Sequence, residues 1–261
     1  NKRIKIGVII EQRDTDFIVG DASGVEYKVV NESGNWANYL PSEESQGLRD
    51  GDSAGCVTFS ALNVIETTIN YLVDKKLIPP DYVAELYEYF DSNGKFNASD
   101  IFTYRMSGTT LGGNSQQRVW NSIRKDGLLP EKDLPKKNYT KEQYSTIPIT
   151  EGQKDKAKNI FKYFNFQYEW VSYNKLANIK DMQTALKQCP LQIASPVCNW
   201  QSPIIFPCGN TQASHATMIY NLKDKIEIEI FDSYPIYQKD LAVTYLIPYC
   251  LKGIVTIVPR A

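Results

Sequence analysis

One boundary constrains the fold of this chain more than any other feature. At Cys56 a loop of small and acidic residues, GDSAGC, passes into an apolar segment where Leu62, Ile65, Ile69 and Leu72 recur at spacings of three and four. That spacing puts the four side chains on one face of a helix. Further helix patterns follow from about Tyr82 to Phe90, in SQQRVWNSIRKDG, around 153–164 and near 178–188. Ser115 is placed to cap the third segment's start and Gly127 to stop its end. Strand patterns fill the remainder: FQYEWVSY, LQIASPV, ASHATMIY, KIEIEIFDS and GIVTIVPR. Helices first and strands second is the order of an α+β domain. Residues 1–34 stand apart: KRIKIGVII, DFIVG and VEYKVV read as strands broken by Asp and Gly.

Several functions are excluded early. The 261 residues carry a net charge of −1, which offers no basic footprint for nucleic acid. No run of about 18 apolar residues predicts a membrane span. The chain has one histidine and no CxxC pair, so neither a metal site nor a cofactor is expected. Five cysteines, Cys56, Cys189, Cys198, Cys208 and Cys250, cannot all pair within the chain. A sequence opening on Asn1 reads as a mature product or a fragment of a longer chain, secreted or virion-associated rather than membrane-bound. DSNGKFNASD (91–100) lacks the second acidic position and closing Glu of a calcium loop and reads as a solvated turn. LLPEKDLPKKNYT reads as a surface crossover between two halves.

The chemistry centres on His215. Alone, a histidine in an apolar strand is usually structural, as is a cysteine at a helix start. Their surroundings tie them together. ASHATMIY and KIEIEIFDS are separated by a short turn, and a hairpin with Ile219 opposite Ile228 would set Asp232 opposite His215 on the same face. A one-residue slip would separate them. Cys56 sits where the positive end of a helix favours a thiolate. A thiolate beside an imidazolium held by a third polar group is an activated nucleophile.

These residues also resemble a known family. GDSAGCVTFS resembles the nucleophile segment of papain-family cysteine peptidases, with Val57 where an aromatic is usual. SHATMIY resembles that family's His strand, and FDSYP its third motif, where Asn-Ser-Trp is usual. SGTTLGGN resembles the glycine loop of the substrate cleft. The resemblance implies a two-lobed fold with a helical first lobe (about 50–135) and an antiparallel β-rich second lobe (about 136–261). Together these form a peptidase domain over 35–261 behind the strand-rich extension of 1–34. It implies Cys56 as nucleophile, His215 as base and acid, and Asp232 as the orienting group. Gly112, Gly113, Ala216 and Trp200 would contact substrate. The oxyanion donor would be Gln46, reached through a loop four residues longer than usual; an ungapped match gives Asp50, whose carboxylate would repel an oxyanion. Cys198 and Cys208 are candidates to close a small loop before the His strand. The partner implied is a peptide or protein substrate. The alternative is a non-catalytic binding or structural module that keeps the fold. GVEYKVVNESGNWANYLPSEESQ is similar to segments preceding papain-like domains in phage-type proteins, which implies a phage-type or divergent branch docked to a larger assembly through the extension.

Overall fold

The computed structural model describes residues 8–9, 30–196, 202–205, 213–223, 227–242 and 247–260. Seven helices and nine strands occur among them, numbered in chain order. A two-residue ladder of β1 (Gly47–Leu48) and β2 (Gly51–Asp52) precedes α1 (Cys56–Asp74). Then come α2 (Pro80–Glu85), α3 (Asp100–Met106), α4 (Gln116–Asp126), α5 (Lys141–Thr146) and α6 (Glu151–Lys158). The second half holds β3 (Phe164–Ser172), α7 (Ile179–Leu186), β4 (Leu191–Ser195), β5 (Ile204–Ile205) and β6 (His215–Lys223). It closes with β7 (Glu227–Phe231), β8 (Gln238–Ala242) and β9 (Tyr249–Ile257). The larger sheet runs β3-β9-β4-β6-β7-β8-β5, antiparallel except for the β5–β8 pair.

α1 is the axis of the fold. It packs on β6, β9 and β4 from one side and on α4 and α3 from the other. The sequence marks one apolar face, but every residue from Cys56 to Leu72 is buried, Thr58, Asn63, Glu66 and Asn70 included. The four apolar positions meet the core, and the polar ones are absorbed by hydrogen bonds. Ser60 Oγ donates back to the Cys56 carbonyl (2.7 Å), Asn70 Oδ1 accepts from Phe96 N–H (2.8 Å), and Glu66 Oε1 accepts from Ala98 N–H (2.8 Å). α1 has the length and mean hydropathy (1.2) of a membrane span, but 94% of that window is buried inside the protein. It is therefore a core helix, enclosed by the sheet on one side and the other helices on the other.

α4 begins and ends where its capping residues place it. Ser115 Oγ accepts from Arg118 N–H (3.2 Å), and Gly127 turns out at φ 79°. A Cβ at Gly127 would lie 2.2 Å from the Ala157 carbonyl oxygen, so the stop requires glycine. Three expectations give way. Segment 91–100 is not all solvated: Asp91 folds it into a turn by accepting from Asn93 and Lys95 N–H, but Ser99 caps α3 and Asp100 is buried. The crossover 128–140 begins inside, with Leu128 and Leu129 buried. The helix from Tyr82 is shorter, α2 ending at Glu85 and a 3-10 turn covering Tyr87–Tyr89.

Where segment 91–100 turns inward it meets a pocket of acids. Glu66 from α1, Asp100 from α3 and Glu131 are all held above the ordinary carboxyl range, by burial first and the charge of Glu44 next. Glu131 is pushed up to about 8. Lys136 is drawn into the same pocket, its ammonium lowered by burial against the pull of Asp100.

Candidate active site

Cys56 is the first residue of α1, behind Gly55 and with no side-chain cap. The first turn is fixed instead from the sheet. The side-chain amide of Gln192 on β4 donates to the Val57 carbonyl (2.9 Å) and to Ser60 Oγ (2.7 Å), and its Oε1 accepts from Trp120 Nε1 (2.9 Å) of α4. A fully buried amide thus joins helix, sheet and neighbouring helix at the first turn of α1.

His215 opens β6, the central strand of the larger sheet. Its Nε2 lies 2.8 Å from Asp232 Oδ1. The Cys56 side chain is within hydrogen-bonding reach of the same ring. With Nε2 turned to the carboxylate, Nδ1 is the nitrogen left for the sulfur. Burial alone would lower His215, but the charges of Asp232 and then Cys56 raise it to about 10. Burial would raise Asp232, but His215 and then Lys239 hold it below its ordinary value. Tyr234 stacks on the imidazole at 5.4 Å between centroids.

The hairpin that carries this pair has a different register from the expected one. Ile219 faces Ile230, not Ile228, and a bulge between Ile219 and Asn221 shifts the remaining pairs to Leu222 opposite Ile228. The shift at Ile219 is two residues, which preserves the face. Asp232 lies just past the end of β7 and reaches His215 from a turn closed by Asp232 N–H donating to the Tyr237 carbonyl (2.8 Å).

Gln46 and Asp50 part company. Asp50 sits exposed at the tip of the β1–β2 hairpin and accepts from Lys141 N–H at the start of α5 (2.8 Å). Gln46, at the hairpin's base, is buried against the Asp232 turn. Its N–H donates to the Ser233 carbonyl (3.0 Å), and its Oε1 accepts from Ser233 Oγ (2.6 Å). The hairpin brings Gln46 back to the nucleophile segment, where Ser53 N–H donates to its carbonyl (3.2 Å).

Neither a protein-family model nor a curated protein sequence matches this chain. Solved structures do. Xylellain, a cysteine protease from Xylella fastidiosa, aligns over 99% of this chain and 99% of its own at a TM-score of 0.60 and 15% identity. The bromelain protease of Ananas comosus, solved with the E64 inhibitor, aligns over 84% and 97% at 0.57 and 14%. Digestive procathepsin L 3 of Tenebrio molitor aligns over 88% and 73% at 0.58 and 11%. The fold is that of the papain-like cysteine proteases.

Within this papain-like fold the remaining candidates fall as follows. The glycine loop is pinned to α1: Thr109 Oγ1 lies 3.3 Å from Thr58 Oγ1 and accepts from Asn114 Nδ2 (2.8 Å). Gly112 is exposed, and Gly113 is buried with φ 97°, exchanging backbone hydrogen bonds with Thr110. Ala216 is buried on β6 opposite Ala194. Trp200, Cys198 and Cys208 lie outside the described residues, as does most of the 1–34 extension. Within that extension, Val8 bridges to Asn114 beside the glycine loop. Cys56, Cys189 and Cys250 are free thiols.

Two residues escape a sequence reading, Asp52 and Lys239. Asp52 accepts from Gln46 Nε2 (2.9 Å), from Ala54 N–H (2.5 Å) and from the Tyr234 hydroxyl. Tyr234 OH also accepts from Gln46 Nε2 (2.7 Å). Lys239 is buried and donates to Asp232 Oδ2. Lys239 alone had a signal: in QKDLA it alternates with Leu241, on the face a core strand turns inward.

Proposed function

We propose that this protein is a cysteine endopeptidase. The observation that carries the reading is the chain of contacts Cys56–His215–Asp232, drawn from α1, β6 and the turn after β7. The raised His215 keeps its proton through neutral pH, and a protonated imidazole stabilises a thiolate on Cys56. The thiolate adds to the carbonyl carbon of a peptide bond. His215 gives its proton to the departing amine, leaving an acyl-enzyme on the sulfur. Water then loses a proton to His215 and attacks the thioester, releasing the acid and restoring the pair. The Cys56 N–H is one donor for the oxyanion, and Gln46 Nε2 is the second once it is released from Asp52 and Tyr234. Asp232 and the stacked Tyr234 ring hold the imidazole in plane for both steps.

Labelling with iodoacetamide or an epoxide from about pH 4 to about pH 9 tests this. Alkylation of Cys56 in mild acid, lost in His215→Ala, supports the pair; alkylation only near pH 8.5 in both proteins refutes it.

One observation favours a second reading, a papain-like binding module. Both Gln46 amide hydrogens are engaged, one of them by the Asp52 carboxylate. A carboxylate at that amide opposes an oxyanion. Asp52→Ala frees the amide: faster acylation by a peptide ester marks Asp52 as a restraint on an enzyme. An unchanged zero rate with Cys56 still unreactive favours the module.

A further inference from the structure

Lys239 has no part in the mechanism above, yet it is among the most deeply buried charges in the protein, with its side chain 0% exposed. It stands on β8 opposite Ile230, and its Nζ donates to Asp232 Oδ2 and to the Tyr234 carbonyl (3.2 Å). Asp232 is equally enclosed and receives three further restraints: His215 Nε2 (2.8 Å) and Ser233 N–H (2.7 Å) on Oδ1, and the Tyr237 carbonyl on its own N–H. Burying an ammonium is expensive. If Oδ2 needed only a hydrogen bond, a hydroxyl or amide would supply it at lower cost. What only a cation supplies is opposite charge.

That charge bears on His215. A lone carboxylate 2.8 Å from an imidazole in a dry site holds the proton on the ring strongly. A carboxylate already paired with a cation presents a dipole instead, and the hold weakens. The groups facing His215 are Cys56 from α1, Asp232 and Tyr234 from the turn between β7 and β8, and Asp52 behind Tyr234 from the hairpin. Lys239, bound to Asp232 Oδ2, adds the cation to this group. We infer that Lys239 is a positioning residue of the site, an internal counter-charge that sets how tightly Asp232 makes His215 hold its proton. This rests on the proposed peptidase reading, in which His215 must give up a proton in one step and take one in the next.

The chain's single histidine makes the test direct. The imidazole C2–H resonance is titrated by NMR in a Cys56→Ser parent, and again after Lys239→Gln, Lys239→Met and Lys239→Arg. Glutamine retains the hydrogen bonds of the turn and removes the charge. The inference expects the midpoint to rise by about one unit or more in Lys239→Gln and Lys239→Met, a roughly tenfold tighter hold. In Lys239→Arg it returns toward the parent. A Lys239→Gln midpoint equal to the parent's makes Lys239 a structural tie and overturns the inference. Asp232→Asn/Lys239→Gln buries no unpaired charge and covers the case in which the single variants fail to fold. Its midpoint should fall below the parent's by less than in Asp232→Asn alone, which leaves the Lys239 charge facing the ring; equal falls in the two variants overturn the inference equally. The titration reads the ring without catalysis, so failure of the peptidase reading shows separately, as absent acid-range labelling of Cys56.

Discussion

Glu131→Gln should make the protein more stable at pH 8 and flatten its response to alkali. Glu131 shares its pocket with Glu66, Asp100 and Glu44, and burial, then the charge of Glu44, lifts its carboxyl to about 8. The folded protein therefore keeps a proton that the unfolded chain releases near pH 4.5. That stabilisation is complete below about pH 4.5 and is lost as pH rises through about 8. One proton accounts for about 1.4 kcal/mol per pH unit, a ceiling of about 4–5 kcal/mol over the interval. Glu66 and Asp100 are raised as well and share the proton, and Lys136 offsets part of the repulsion, so about 2–3 kcal/mol is expected of one substitution. Glutamine keeps an acceptor for the Lys136 N–H now bound by Glu131 Oε1 (2.5 Å). Urea unfolding at pH 5 and pH 8 measures the difference. His215, also raised, loses its stabilisation as pH climbs from about 6.5 to about 10, but it does so in both proteins and cancels. A variant with the wild-type pH slope, or one less stable than wild type at pH 8, refutes the reasoning.

Other sites give sharper structural tests. Gln192→Leu leaves Trp120 Nε1, the Val57 carbonyl and Ser60 Oγ without their shared partner and should cost about 3 kcal/mol in denaturant unfolding, with slower alkylation of Cys56. Gly253→Ala would set a Cβ 2.2 Å from the Trp120 ring and 2.8 Å from Val64. A loss of about 2–4 kcal/mol by thermal denaturation is expected. Lys252→Met removes the ammonium 3.1 Å from the buried Glu169 carboxylate inside the sheet and should cost about 3–5 kcal/mol in urea.

The helix at Cys56, the capped helix from Ser115 and the strand opening at His215 were legible because each is written locally: in a spacing, a cap or an alternation. Register was not. Alternation fixes which face a residue takes but not its partner, and the bulge near Asn221 leaves no mark in composition. The acid pocket was invisible for a related reason. Glu44, Glu66, Asp100 and Glu131 are scattered over 88 positions of the chain, each looking like an ordinary surface charge. Helix α5 was missed although its start is written in TKEQ, where Thr140 and Gln143 form a reciprocal cap. The Lys and Pro around it drew attention to the surface instead. Gln46 stands out because chemistry demands a donor; Asp52, which binds it, answers to no such demand.

Among the described strands of the larger sheet, the last in chain order is the one that joins its two parts. β9 enters between β3 and β4, pairing Phe164 with Ile257 on one side and Leu191 with Lys252 on the other. Until Tyr249–Ile257 has been synthesised, no described strand joins β3 to β4, and the floor on which α1 rests is open. A growing chain thus carries its thiol for nearly two hundred residues before the framework that would arm it can close. Reactivity should arrive late and abruptly, with β9, and not gradually as the chain lengthens.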